Sequence, residues 1–579
     1  MDKLAGRLRI EEGKARLAWE EGCAPVRMEE AGTEAVVLGP AARRRDDLAR
    51  RLARNPSDAA SALASLREAA SGFSFALWEP ARGRLSLGCD PLGLQTIYFR
   101  EAGGETRFGG RLADVAGGEG VEEKLHLAGC EHFLLYLSAP PGRTLLGGVR
   151  RVAPGRRIHL PAGWGEEEGA EKAEGEDHTI FPLRPRREGG RRETATALRE
   201  ALQRSVRAAA EGVPEDEPLG LLLSGGIDST ALLALLRETR EGPIVAIQAA
   251  RPGSPDRHYA KEMAAQFGAE FLDANLSLGD ARESLAWLVF SMELPSGNAS
   301  AVATSRAFAL ARERGVRRVL SGLGSDEVFC GHAKHLIAPW WPLLARLPRA
   351  LRKMAPFPRR GGRRETLRRA LAAEGGAAEM HKAMYAFFGE AEQERLRGTM
   401  ARLAQSSPMP WRAPEDAGFP PGYGAEILQV DLNMWLRASL TPMAGALAAV
   451  NGLELALPFC GPELLGLSAA APLSWKVRRG EGKRILREAL AEVVPPAIFR
   501  RPRQGFTVPM AEWLRTDLAP TARELLSPGR MERWCLVGHE EIAGLLRDHI
   551  AGRADWSLPL WAWMTFSVWY ERFVEGGEE

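Results

Sequence analysis

The chain has 579 residues and a mass of 63.1 kDa, which at about 150 residues per domain predicts two to four domains and excludes a single small module. With 45% hydrophobic and 26% charged residues, the composition is that of a folded globular protein and not of a disordered or fibrous one. Lysine plus arginine (77) nearly cancels aspartate plus glutamate (75), so a net charge of +2 supplies no global field for holding nucleic acid or an anionic membrane, and any such partner must be argued from a local patch.

The opening residues, MDKLAGRLRIEEGK, are charged and lack an apolar signal core, and no run of about 18 apolar residues follows, so a cytoplasmic location without a membrane span is expected. Cys23, Cys89, Cys130, Cys330, Cys460 and Cys535 are scattered, with neither CxxC nor zinc spacing, and read as reduced thiols. Over residues 1–160 short apolar runs alternate with turn residues: EAVVLG, GFSFALWEP, GRLSLGC, QTIYF and RTLLGGVRRVAPGRRIHL. That pattern predicts a sheet-rich α+β domain with helical stretches such as Asp46 to Leu66. Residues 161–191 are rich in Gly, Glu and Arg and read as a linker. From residue 192 to 579 the pattern becomes amphipathic helices, with Ala197, Leu198, Ala201 and Leu202 on one face, interleaved with short buried-strand candidates. The second domain is therefore expected to be α/β at first and largely helical afterwards.

The most informative segment follows Pro218. An apolar strand runs into Ser224-Gly225-Gly226-Ile227-Asp228-Ser229, and a helical Ala/Leu pattern begins at once. Glycines let the backbone approach an anion closely, and the unpaired N–H groups of a helix start point toward it. A Gly-Gly turn by itself also fits a strand-to-helix connection that binds nothing. The Walker lysine is absent; an aspartate beside a phosphate calls for a bridging hard cation, which means Mg²⁺. Further on, Arg346 to Arg369 carries ten basic residues against one acidic and reads as a solvated loop between helices.

SGGIDS resembles the loop of the ATP pyrophosphatase group, and three further stretches make the chain similar to asparagine synthetase-like enzymes over nearly its whole length. Val316 to Phe329 (VRRVLSGLGSDEVF) resembles the family's strand followed by SGxGxDExF. Arg479 to Leu490 and Pro495 to Pro509 match a later conserved-looking block that carries Lys483. The resemblance implies an adenine-nucleotide-hydrolase-like synthetase domain behind an Ntn-type glutaminase-like sandwich. It implies ATP and Mg²⁺ as cofactors, with Ser224, Gly225, Gly226, Asp228 and Ser229 at the phosphates and Asp228 and Asp326 on the metal. Lys483 would be the catalytic cation, and Leu222, Ile247, Ser321 and Gly322 would lie against the adenine. Read alone, GSDE is also an ordinary helix start capped by Ser325, and Lys483 an exposed lysine at another.

The glutaminase-like domain resembles its family in GFSFALWE, CDPLGLQTIY and LLGGVRRVAPG, yet position 2 is Asp2 where the family has its nucleophilic cysteine. Glutamine hydrolysis is expected to be lost, with Cys89 a packed thiol. Leu323 stands where asparagine-forming members have Glu and β-lactam-forming members Tyr, and Cys460-Gly461 replaces a Leu-Asp. The chain is most similar to lasso peptide cyclases. Such enzymes adenylate an Asp or Glu side chain of a peptide and let its N-terminal amine close a macrolactam. The implied partners are a lasso precursor core peptide and a leader peptidase and leader-binding protein, with no nucleic acid and no membrane. Ammonia-dependent asparagine synthesis, β-lactam synthesis and a catalytically silent scaffold are the alternatives.

Overall fold

A computed structural model describes residues 5–11, 14–20, 26–27, 33–38, 42–55, 63, 70–116, 125–140, 142–160, 178–179, 185–186, 189–250, 253–354, 362–388, 423–501, 508–534 and 536–576. Asp2, Cys23, Cys535 and most of the linker lie outside them.

Among the described residues eleven strands come first: β1 (Ala5–Glu11), β2 (Lys14–Trp19), β3 (Val26–Arg27), β4 (Glu34–Leu38), β5 (Ser74–Glu79), β6 (Arg84–Cys89), β7 (Tyr98–Ala102), β8 (Glu105–Gly109), β9 (Val149–Arg151), β10 (Arg156–Leu160) and β11 (His178–Thr179). They form two antiparallel sheets, ordered β2-β1-β8-β7-β9 and β11-β10-β6-β5-β4-β3. Strand alternation puts Leu8, Ile97, Phe99 and Phe108 of the first sheet against Ala76, Trp78, Leu85 and Leu87 of the second, in one buried layer. The far face of the second sheet, with Val37, Phe75 and Leu77, is covered by Leu48 and Leu52 of the helix Ala42–Arg54. Tyr98 and Val149 on the far face of the first sheet join Phe133 of the helix Leu127–Tyr136. The result is a helix–sheet–sheet–helix sandwich.

Two differences from the sequence reading concern this region. The helix runs from Ala42 to Arg54, starting four residues before the expected Asp46 and stopping well short of the expected Leu66, and the linker contributes an edge strand, because His178 and Thr179 pair with Arg157 and Arg156.

Asp90 explains why CDPLGLQ forms a fixed turn. Its buried carboxylate accepts the backbone N–H groups of Phe73, Leu92, Leu94 and Gln95 at 2.9–3.3 Å. An Asp90→Ala substitution strands those donors and is expected to cost about 3 kcal/mol or more in urea unfolding.

The remaining strands, β12 (Leu219–Leu222), β13 (Ile244–Ala250), β14 (Glu270–Asn275), β15 (Arg318–Leu320) and β16 (Glu454–Ala456), form one parallel sheet ordered β14-β13-β12-β15-β16. The apolar residues of β13 and β15 are buried on both faces, as crossover helices require, whereas edge strand β14 is only partly covered. The crossovers out of β12 and into β15 run to opposite sides, so the strand order reverses between these neighbours. That opens a crevice at their carboxyl ends, where open α/β sheets bind ligands. No helix among the described residues is long and apolar enough to cross a membrane.

The two sets of sheets share a continuous core. Phe133 stacks on Phe566 with centroids 5.8 Å apart, Thr441 Oγ1 donates to the carbonyl of Leu92, and Arg111 pairs with the buried Glu293 at 3.0 Å.

Candidate active site

β12 delivers the chain to the crevice with Leu223 N–H bonded to the Ile247 carbonyl (2.8 Å), and the helix Ile227–Thr239 starts at Gly226. Between them Gly225 takes φ +67, and a Cβ there would sit 2.6 Å from the backbone nitrogen of Ala260, so glycine is required twice over. Ser229 Oγ accepts the Ser224 N–H at 3.1 Å, and Ser224 Oγ accepts that of Gly226 at 3.3 Å. These bonds fix the turn with its helix start facing the crevice, the geometry of an anion cradle.

β15 delivers a second loop alongside. Its Gly322 passes so close that an added Cβ would lie 3.1 Å from Cβ of Asp228. Gly324, at φ +88, begins the helix Ser325–Val328. Ser325, expected as the helix cap, instead lies inside the first turn and donates to Asp228 Oδ1 at 2.7 Å, because the cap position is held by Gly324. Asp326 projects from the same turn.

Lys483 closes the site from a third direction. It sits at the N-cap of the helix Arg484–Ala489 in a left-handed conformation (φ 55), which is strained for a lysine and over-determined by its surroundings. Its ammonium lies 2.6 Å from Asp228 Oδ2, 2.7 Å from Asp326 Oδ1 and 3.2 Å from Ser325 Oγ. Burial disfavours both ionised forms, but the ion pairs outweigh it. Asp326 is held well below the usual carboxylate range, and Lys483 above the usual lysine value. Two aspartates 98 positions apart in the chain thus converge on one cation. Their donor set, two carboxylates with a hydroxyl between them, also fits Mg²⁺.

The expected adenine neighbours separate. Leu222 is half-buried at the end of β12, and Gly322 is also partly open. Ser321 is 8% exposed, with its N–H on the Ala456 carbonyl and its hydroxyl accepting from Leu323 N–H. Ile247 is 1% exposed inside the core, so its side chain offers no surface to a base. This corrects the sequence reading: β13 is flanked by β12 and β14 and covered on both faces, so its side chains are consumed by packing.

Three features escaped the sequence. Arg501 donates to the Ser224 carbonyl at 3.2 Å, pairs with Asp256 and lies over the Tyr259 ring, tying the later block to the glycine turn. Gly331 presses against Asp326 and Lys483. Beyond it, His332 bonds through Nε2 to the buried Glu327 at 2.8 Å. Arg501 meets the glycine turn across 277 residues, and a glycine and a histidine a few positions after GSDE carry no periodic signal, which is why none of these was readable. Leu323 is half-buried against the core and gives no carboxylate to the site; its carbonyl faces the Cys460 thiol at 3.7 Å.

His335, His381 and Asp431 form the described side-chain group with metal-like proximity. Hydrogen bonding accounts for it instead. His335 Nδ1 accepts the His332 N–H (3.0 Å), so its proton is on Nε2 and is donated to Asp431 (2.6 Å), leaving no lone pair there for a metal. Burial drives the His335 pKa down to about 4 against the pull of Asp431. Between about pH 6.5 and 4 the unfolded chain therefore binds a proton at this position that the native state refuses, and the wild type loses stability as pH falls. Relative to His335→Gln, its unfolding free energy is expected to drop by about 1.4 kcal/mol per pH unit in that window, read from denaturation midpoints at pH 7 and 4.5.

A reversing parallel sheet, a glycine turn opening a helix and an acidic pair on a buried ammonium define the α/β class that binds nucleotide phosphates at a switch point. The chain belongs to the asparagine synthase family, whose model matches residues 197–571. Relatives extend over the sandwich as well. A Mycobacterium tuberculosis protein named as a glutamine-hydrolysing asparagine synthetase is 27% identical over 523 residues, covering 87% of this chain and 76% of its own. Asparagine synthetase 1 of Bacillus subtilis is 23% identical over 516 residues, covering 87% and 78%. Asparagine synthetase B of Escherichia coli is 28% identical over 158 residues, 24% of this chain and 28% of its own.

Proposed function

We propose that the protein is an ATP-dependent carbon–nitrogen ligase that adenylates an Asp or Glu side chain of a peptide and closes a macrolactam with that peptide's N-terminal amine, as lasso peptide cyclases do. The observation that carries the ligase reading is the convergence of Asp228, Asp326 and Lys483 at the mouth of the glycine turn. In this reading the Ser224–Ser229 turn holds the ATP phosphates by backbone N–H groups. Asp228 and Asp326 would hold Mg²⁺, whose charge offsets that of the triphosphate. The peptide carboxylate attacks the α-phosphorus, pyrophosphate leaves, the amine attacks the acyl-adenylate and AMP departs. Lys483 stands where negative charge develops. Holding amine and acyl group together supplies on the order of 7 to 11 kcal/mol of the barrier.

Cyclisation is favoured over external nitrogen because Asp2 replaces the glutaminase nucleophile and Leu323 removes the carboxylate of asparagine-forming members. The names of the relatives, both glutamine-hydrolysing asparagine synthetases, favour a second reading, asparagine synthesis, which with Asp2 in place of the glutaminase cysteine would draw on free ammonia. The two are separated by incubating the protein with ATP and either aspartate plus ammonium or a candidate precursor peptide with a free N-terminal amine and an internal Asp or Glu. A peptide lighter by one water, with AMP and pyrophosphate released, supports the cyclase; asparagine supports the alternative. Asp228→Ala and Asp326→Ala are expected to abolish pyrophosphate release, whereas Asp2→Ala leaves it intact. Loss of activity in the last variant would overturn the assignment of an inactive glutaminase region.

A further inference from the structure

A solvated loop does not account for what the stretch before Arg369 presents. Residues 338–354 form a 3₁₀ turn, Ala338–Trp340, and two short helices, Trp341–Leu344 and Arg349–Lys353. One side is docked: Ala338 and Trp341 are fully buried with Cys330, Ala370, Leu371 and Met380. Trp340, Leu343, Leu347, Leu351 and Met354 are 61%, 57%, 45%, 56% and 75% exposed, an apolar stripe along fifteen consecutive positions of the chain. Among the described residues only Trp287 and Leu558 are other large apolar side chains exposed to this class, and both are less so. Single exposed apolar residues are ordinary; five in fifteen positions mark an interaction surface.

The charge beside the stripe says what kind. From Arg346 to Arg369 the sequence has ten basic residues and one acidic, Glu365, in a chain whose total charge is only +2. Within that run Arg349 is bonded to the Ala372 carbonyl and Glu374, Arg352 is buried and Arg369 donates to the Phe387 carbonyl, so in the stripe's own segment Arg346 and Lys353 are the exposed cations. We propose that this face docks on an anionic bilayer. The stripe would enter the boundary between headgroups and acyl chains, and the flanking cations would meet the lipid phosphates. A second copy of the chain fits poorly, since it would bring two cationic faces together. A nucleic acid would use the cations but leave Leu343, Leu347, Leu351 and Met354 facing water. With no membrane-crossing helix among the described residues, the attachment is by a surface and not by a span.

The full-length protein is floated with vesicles of phosphatidylcholine alone or mixed with phosphatidylglycerol, at low and high salt. Binding is expected to be at least about tenfold greater with the anionic lipid and to fall with salt. Leu343→Glu/Leu351→Glu should lose about tenfold or more of it, and the milder Leu343→Ser/Leu351→Ser a smaller share, with unchanged circular dichroism. Arg346→Glu/Lys353→Glu should remove the preference for the anionic lipid. The proposal is overturned if the wild type does not float with anionic vesicles, if it floats equally with neutral ones, or if the leucine variants float as the wild type does. A concentration-dependent dimer lost in Leu343→Glu/Leu351→Glu would assign the face to a second copy. Retention of single-stranded RNA without vesicle binding would assign it to nucleic acid.

Discussion

Lys483→Met is expected to lower the rate of ATP–pyrophosphate exchange by on the order of 10³-fold while leaving the fold intact. Methionine keeps the length and apolar stem of the side chain and removes only the charge. In the wild type that charge is bonded to Asp228, Asp326 and Ser325 and is 5% exposed, so water cannot replace it cheaply. Both ends of the ion pair agree: Asp326 is held ionised and Lys483 protonated, against the burial that disfavours each. Without the ammonium, the two carboxylates lose the cation that bridges them, and the charge that develops during the reaction loses its protein-borne counter-charge. Lys483→Arg is not expected to rescue activity, because Gly331 presses on Cε of Lys483 and leaves no room for a planar guanidinium. Exchange within about tenfold of wild type in Lys483→Met would remove the lysine from the charge-stabilising role.

How much of this was legible follows the range of the interactions. The Ser224–Ser229 turn is local: glycines, a helix start and an acidic residue lie within six positions, so residue types alone announce an anion cradle. The partnership of Asp228 with Asp326 and Lys483 spans separations of 98 and 255 residues, and only resemblance to a family could place them together. Ser325 looked like a cap because capping is the commonest work of a serine at a helix start; Gly324 at φ +88 takes that position and frees the hydroxyl. Ile247 looked like a nucleotide neighbour because it ends an apolar run, but a central parallel strand has no open face. The β1–β2 hairpin hid behind its arginines. Leu8 faces the core while Arg7 and Arg16 alternate outward, a pattern that reads as charge before it reads as strand.

The same long-range packing makes Gly331→Ala the sharpest structural test of the site. Gly331 does not need glycine for its backbone, since its φ is not in the left-handed region. It needs glycine for space. A Cβ at this position would overlap Asp326 Oδ1 and Lys483 Cε and lie 2.7 Å from Asp326 Cγ. The obstacles are the ends of side chains and not backbone, so the fold can accept a methyl group by pushing those two aside. The expected outcome is a protein whose thermal midpoint stays within a few degrees of wild type and whose adenylation rate falls about 10²-fold, the cost of an ångström-scale displacement at a reacting centre. A purely structural glycine would give the opposite pairing, lost stability with activity retained in the molecules that fold. Loss of stability matching the loss of rate would mean that Gly331 supports the chain turn and not the charge cluster. Full activity would mean that Asp326 and Lys483 need not meet for the reaction to proceed.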